Sequence, residues 1–469
     1  MRDELTTGSH AVIGGPLTRN PSNGDFLQRY LWHSEEDRDA LLDAALEAHA
    51  GWRETPLSVR ARLLTELGRR LEAGREEDAR LMAREMGKPL AQARAEIDKC
   101  AWACRHFAEH GAAALAPLAI ATDADKSGVR FDPLGVVLGV MPWNYPYWQV
   151  IRFAVPALLA GNTVVLKHAP STTGCALRLE ERFAEAGFPA GAFAHLRADE
   201  PAVAETIRDA RVAAVTLTGS VAAGRAVAAV AGEALKPCVL ELGGSDVFVV
   251  LDDADLEAAA DAAVLARFQN TGQSCIAAKR FLVHASVHDA FVDALAARVR
   301  ALRVGDPMDE ATEVGPMARE DLTLVLDEQA RASVDAGARE VVSGGADRTR
   351  PGAWFAPTLL VDVAPGMPAF DEETFGPLAA VTRVESLDEA LVLANMSRFG
   401  LGASFWTADV AAVEAAMGQV DVGHVSINGI VKSDPRMPFG GIKDSGYGRE
   451  LGPHGVRAFT NPKSYWVKG

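Results

Sequence analysis

Residues 135–167 read GVVLGVMPWNYPYWQVIRFAVPALLAGNTVVLK. The run 136–141 is apolar, β-branched and cut off by Pro142, and the run TVVLK at 163–167 repeats that texture. Between them, residues 148–160 are long enough for one crossing helix. A strand, a helix and a strand in that order predict two parallel neighbours in a helix-covered sheet, because parallel strands need a crossover to connect them. The texture returns as strands at 212–218 and 247–251, with helices at 172–186 and 201–209. Beyond Glu241, a helix at 256–268, a strand at 281–284 and a helix at 287–302 predict a second α/β unit. Upstream, Leu41, Leu42, Ala45 and Leu46, then Leu63, Leu64, Leu67 and Leu71, recur at three-to-four spacing and predict packing helices over residues 34–110. The densest glycine cluster is PFGGIKDSGYGRELG at 438–452.

The 469 residues are 48% hydrophobic and 23% charged, the composition of a chain that packs a core. Lys+Arg minus Asp+Glu is 47 − 63 = −16, a sign that repels nucleic-acid backbones and anionic membrane surfaces. Apolar runs such as 136–141 are too short to span a bilayer. Five cysteines, at 100, 104, 175, 238 and 275, are few and odd in number for a disulfide framework and fit a reducing compartment. The opening MRDELTTGSHAV has neither a basic region before an apolar stretch nor an Arg/Ser-rich pattern. We therefore expect a cytoplasmic protein with no nucleic-acid or membrane partner and no metal.

Four segments could carry chemistry. Gln269-Asn270-Thr271-Gly272-Gln273-Ser274-Cys275 delivers a cysteine in a polar turn after a helix, whereas the other four cysteines read as small buried hydrophobes. Glu241 is followed by Gly243 and Gly244, so a carboxylate stands where a ligand can approach closely. Asn144 lies between Pro142 and Pro146, either as a turn-capping amide or as a donor to an oxyanion. Gly219 and Ser220 follow a strand at the start of a helix, where Ser220 serves as a helix cap or as a diphosphate contact. The G-x-G-x-x-G and G-x-x-x-x-G-K-[ST] phosphate motifs are both missing. A thiol, a water-activating carboxylate, an amide donor and a diphosphate-binding helix mouth together suggest thioester chemistry with a cofactor.

These motifs resemble the NAD(P)-dependent aldehyde dehydrogenase superfamily in content and order: PWNYP at 142–146, LK at 166–167, TGS at 218–220, ELGG at 241–244 and GQSC at 272–275. EETFGP at 372–377 and PFGG at 438–441 follow. The resemblance implies an α/β fold with two parallel-sheet domains and a small β oligomerisation flap. Cofactor binding would fall to residues 1–109 and 131–240 and catalysis to 241–433, with 110–130 and 434–469 forming the flap and C-terminal segment. A homodimer or homotetramer is implied. Cys275 resembles the nucleophile that forms a thiohemiacetal and then, after hydride loss to nicotinamide, a thioester. Asn144 resembles the oxyanion donor and Glu241 the base that activates water. For NAD or NADP, the implied contacts are Met141, Pro142, Trp143, Lys167, Gly219, Ser220, Glu373 and Phe375.

Departures from the family pattern bear on cofactor and substrate. Pro170 stands where many NAD-preferring members carry a glutamate, so a 2′-phosphate is not repelled. Phe153 replaces a lysine that in some members partners the glutamate matched by Glu450. Arg152 coincides with an arginine that binds the distal carboxylate in succinate-semialdehyde dehydrogenases, and a guanidinium suits a carboxylate through two parallel bonds. A second arginine of some of those enzymes is Gln269 here. Because the stretches around WNYPYW and GQSC are most similar to the shorter bacterial-type enzymes, the expected reaction is oxidation of succinate semialdehyde to succinate with NAD(P)+. The alternatives are another small aldehyde, with Arg152 in a structural salt bridge, or a non-catalytic cofactor-binding protein.

Overall fold

A computed structural model describes residues 14–469; the opening segment read for a targeting signal, and the start of the expected cofactor domain, lie outside them. Strand Val136–Met141, helix Trp148–Ala160 and strand Thr163–His168 form the βαβ unit, with the strands parallel from Val136 opposite Thr163 to Met141 opposite His168. All thirteen residues of the helix are buried, because it packs on the sheet on one side and on helices Leu57–Ala73 and Leu90–Ala114 on the other. Strand Phe193–His195 extends this sheet beyond Thr163–His168, while Val212–Thr218 and then Cys238–Glu241 extend it the other way. The winding reverses beside Val136–Met141. A crevice therefore opens between the C-terminal ends of that strand and Val212–Thr218, the place where doubly wound sheets bind ligands.

The second sheet has Asp246–Val250 and Ala278–His284 near its centre. Leu378–Val384 and Thr358–Val361 follow on one side, Gly402–Trp406 and His424–Ile427 on the other, all parallel. Arg339–Val342 closes one edge antiparallel. A third, small sheet pairs Thr460–Val467 with Lys126–Pro133 along their full length and adds Leu118–Ala119. Its exposed side chains include Leu118, Trp466 and Val467. Among the described residues no helix is long and apolar enough to cross a membrane.

Expected boundaries at 109/110 and 130/131 fall inside elements. Helix Leu90–Ala114 continues because Gly111 and Ala114 still belong to its buried face, and strand Lys126–Pro133 continues because Pro133 pairs with Thr460. Residues 434–469, expected to form the flap and C-terminal segment, also pair outside the small sheet. Ile442–Lys443 pairs with Phe399–Gly400 of the second unit, and Gly446–Tyr447 pairs with Cys238–Glu241 of the first. The glycine-dense run thus adds a strand to the first sheet opposite Glu241 and pairs with a short strand of the second unit.

Gly446 sits at φ +105, opposite Glu241, and a Cβ there would overlap the Leu240 carbonyl. Gly446→Ala is expected to cost about 1–3 kcal/mol of stability through backbone strain and to lower activity as the Glu241 strand shifts. Denaturant melts and steady-state rates check both.

Candidate active site

Helix Leu256–Phe268 ends in a turn, Gln269–Gly272, in which Asn270 and Thr271 hold φ of 56° and 55° and Gly272 holds φ of 70°. Left-handed non-glycine residues cost about 1–3 kcal/mol each and persist where surrounding bonds over-determine them. Here the bonds are visible. Asn270 Nδ2 donates to the carbonyls of Asn144 (2.8 Å) and Gln273 (3.0 Å), and Thr271 Oγ1 accepts from Gly315 N (3.1 Å). Fully buried Arg267 donates to the carbonyls of Leu378, Thr374 (2.8 Å) and Gly376. Lys279, at the start of strand Ala278–His284, donates to the carbonyls of Ser274 (2.9 Å) and Cys275 (2.8 Å).

The turn leaves Cys275 half-buried on the wall of a cavity of about 390 Å³, with Lys99, Tyr145, Trp148, Arg152, Ser433 and Phe439 among the other lining residues. Burial pushes the thiol up to about 11, against the pull of Arg152 and Lys279. Cys100, Cys104 and Cys175 are buried. Asn144 Nδ2 donates to Gln273 O (3.1 Å), so the amide is held against the nucleophile turn with a second N–H to spare. Glu241 ends its strand at 2% exposure, and neither carboxylate oxygen has a hydrogen-bond partner among the described residues. Burial raises it well above the usual carboxylate range; Arg152 pulls it down, and Glu450 pushes it up. One guanidinium therefore acts on both the thiol and the carboxylate.

That guanidinium already has a carboxylate partner. Arg152 lines the cavity, yet it is 1% exposed, forms an ion pair through Nε with Glu450 and donates from Nη2 to Thr218 Oγ1 (3.0 Å). The carboxylate it grips is the protein's own. Glu450, 2% exposed and raised by burial, also accepts from Thr216 Oγ1. Phe153 lays its ring against Gly139 in the core. Arg152 thus partners Glu450 from the neighbouring helical position.

The expected cofactor residues gather at the crevice. Met141 ends its strand ahead of Pro142 and Trp143, Lys167 pairs in register with Val140, and Gly219 follows Thr218. Ser220 caps helix Val221–Glu233 by accepting from Ala223 N (3.2 Å). Phe375 meets Trp143 edge-on at 5.8 Å. Glu373 accepts from Gly244 N (3.0 Å) and lies 3.6 Å from Lys279, which places it beside the Glu241 and Cys275 segments. The fit to a dinucleotide is good. No acidic residue occupies the first turn of helix Val221–Glu233, and a Cβ on Gly219 would find no heavy atom closer than 3.5 Å, so its backbone is open to an anion.

The sequence matches the Aldehyde dehydrogenase family over residues 17–465. The chain belongs to that family. It is 45% identical over 98% of its length to the NAD(P)+ succinate semialdehyde dehydrogenase Sad of Escherichia coli (strain K12), covering 99% of that protein. It is 47% identical over 96% of its length to the probable NADP(+) succinate-semialdehyde dehydrogenase of Synechocystis sp., again covering 99%. A crystal structure of succinic semialdehyde dehydrogenase from Streptococcus pyogenes in complex with NADP+ superposes with a TM-score of 0.94 at 33% identity, covering 97% of this chain and all of that one.

In this aldehyde dehydrogenase several site residues escape a sequence reading. Arg267 and Lys279 look like surface charges in a linear string, and their carbonyl partners are remote in sequence. Glu96 was legible in principle, because it interrupts the buried apolar stripe of helix Leu90–Ala114.

Because burial raises the Cys275 thiol, its ionised fraction in the cofactor-free protein grows with pH. Alkylation by iodoacetamide is expected to accelerate roughly tenfold per pH unit from 7 to 9, with labelling mapped by mass spectrometry to Cys275 and lost from that site in Cys275→Ala.

Proposed function

We propose that this chain oxidises succinate semialdehyde to succinate with NAD(P)+. The observation that carries this reading is a cavity on which the family's nucleophile, Cys275, is joined by three cations, Lys99, Arg152 and Lys432, while its two carboxylates, Glu96 and Asp434, already hold Lys88 and Arg436, in a protein of net charge −16. Such a cavity favours an aldehyde with a negative charge at its far end. The names of the relatives support the same choice. Bound NAD(P)+ supplies the hydride acceptor, held by Met141, Pro142, Trp143, Lys167, Gly219, Ser220, Glu373 and Phe375.

Cys275 Sγ, once deprotonated, adds to the aldehyde carbon. The second Asn144 amide N–H and the Cys275 backbone N–H take the oxygen that gains charge, a contact whose removal commonly costs about 10²–10³ in rate. After oxidation the acyl group remains on sulfur as a thioester. Glu241 then removes a proton from water as its oxygen bonds to the acyl carbon, and the C–S bond breaks to release the acid and the thiolate. Overall the aldehyde carbon loses a hydride and gains the oxygen of water. For Glu241 to accept that proton it must be ionised, so a carboxylate raised by burial predicts deacylation that speeds up as pH rises. Residues 110–130 and 434–469 would build the contact of a homodimer or homotetramer, and the protein would work in the cytoplasm.

In the wild type, kcat/KM for succinate semialdehyde is expected to exceed that for butanal, its uncharged analogue of equal carbon number. No preference for the acid overturns the substrate assignment. Glu241→Gln should retain a burst of about one NAD(P)H per site in stopped flow while the steady-state rate falls about 10²–10⁴-fold. Loss of the burst together with turnover would place Glu241 before acylation instead.

A further inference from the structure

Lys279 is the second residue of strand Ala278–His284 and is fully buried. Three carbonyl oxygens converge on its Nζ: Ser274 at 2.9 Å, Cys275 at 2.8 Å and Ala277 at 3.5 Å. All three N–H donors of the ammonium are thereby spent on the backbone that carries the nucleophile. A neutral donor could bond the same carbonyls without the cost of burying a charge, so hydrogen bonding alone does not account for a lysine there.

Two carboxylates face that charge, and neither cancels it. Glu373 Oε1 stands 3.6 Å from Nζ and also accepts from Gly244 N (3.0 Å), but the side chain is partly exposed. Asp246, on the neighbouring strand, acts on Lys279 as well. Its Oδ1 accepts from Gly402 N (3.0 Å) while Oδ2 has no partner among the described residues, and burial raises it to about 7, so near neutral pH it is partly protonated. The two glycines after Glu241 make the approach of these groups possible. A Cβ on Gly244 would lie 2.5 Å from the Cys275 carbonyl oxygen, and one on Gly243 would overlap Glu373 Oε2.

We infer that Lys279 is a positioning residue for the nucleophile: its ammonium, locked onto the Ser274 and Cys275 carbonyls, keeps a fixed positive charge within reach of the sulfur that attacks the aldehyde. This rests on the role given to Cys275 above. Burial and the nearby Arg267 work against the Lys279 proton, whereas Glu373 and Asp246 favour it. The carbonyls favour it too, because they only accept, and a neutral amine would turn a lone pair onto one of them. Around the thiol, Arg152 pulls in the same direction as Lys279, Glu373 and Asp246 push the other way, and Tyr145 stays neutral because burial raises its hydroxyl.

The test alkylates the cofactor-free protein with iodoacetamide at pH 8 and follows Cys275 by mass spectrometry in wild type, Lys279→Gln and Lys279→Arg. Lys279→Gln keeps amide donors but loses the charge, and its rate should fall at least fivefold because less of the thiol is ionised. Lys279→Arg should recover most of the loss. A purely structural role predicts the opposite sign, since a loosened turn exposes the sulfur and speeds labelling. A Lys279→Gln rate within twofold of wild type, or above it, overturns the inference. Should that variant fail to fold, Glu373→Gln provides a second readout: removing the counter-ion of the ammonium should speed labelling at least threefold, and an unchanged or slower rate refutes the proposal. Labelling needs no turnover, so its failure leaves the proposed oxidation standing, whereas a wild type that forms no NADPH with succinate semialdehyde overturns that reading alone.

Discussion

Arg152 and Glu450 meet at 1% and 2% exposure, and the charge they carry is what the site is built around. Taking both ions out of water costs several kcal/mol each, which their attraction repays only in good geometry with further bonds. Arg152 donates one of those further bonds to Thr218 Oγ1 and Glu450 accepts the other from Thr216 Oγ1, both threonines lying on the strand that leads to the cofactor crevice. The pair therefore fastens helix Trp148–Ala160, strand Val212–Thr218 and the glycine-dense C-terminal run to one another. Its positive member also reaches Cys275 and Glu241, lowering two acids that burial alone would hold protonated. Removing either ion would leave the other buried and uncompensated, a loss commonly of about 3–5 kcal/mol.

The nucleophile turn obeys a related constraint. Three successive left-handed residues aim Cys275 at the cavity, and the strain is offset by buried cations bonded to carbonyl oxygens. Arg267 is brought down to about 9 by burial, a measure of how little counter-charge it has. It binds the turn to Thr374 and Gly376, beside Glu373 and Phe375, so the expected grip on the nicotinamide end and the nucleophile rest on one bonded unit. Gly272 is required there twice over, by its φ of 70° and because a Cβ would overlap the Gly376 carbonyl.

What the sequence determined by itself was local periodicity and motif order. Helix Trp148–Ala160, strand Val212–Thr218 and helix Leu256–Phe268 were legible to the residue, since apolar spacing and the breakers Pro142 and Gly161 act on near neighbours. Cys275, Glu241 and Asn144 stood out because polar or glycine-rich turns bracket them. The tertiary structure alone decided how charges were paired. Arg152 reads in the string as a free guanidinium two turns beyond Tyr145, and its partner Glu450 lies nearly three hundred residues away. Lys99 reads as an ordinary helical lysine until Asp434 is seen to be taken by Arg436 and Glu96 by Lys88. Strand and helix formation depend on neighbours along the chain, whereas the partner of a buried ion depends on which distant segments fold against it. A linear pattern specifies the first and is silent on the second.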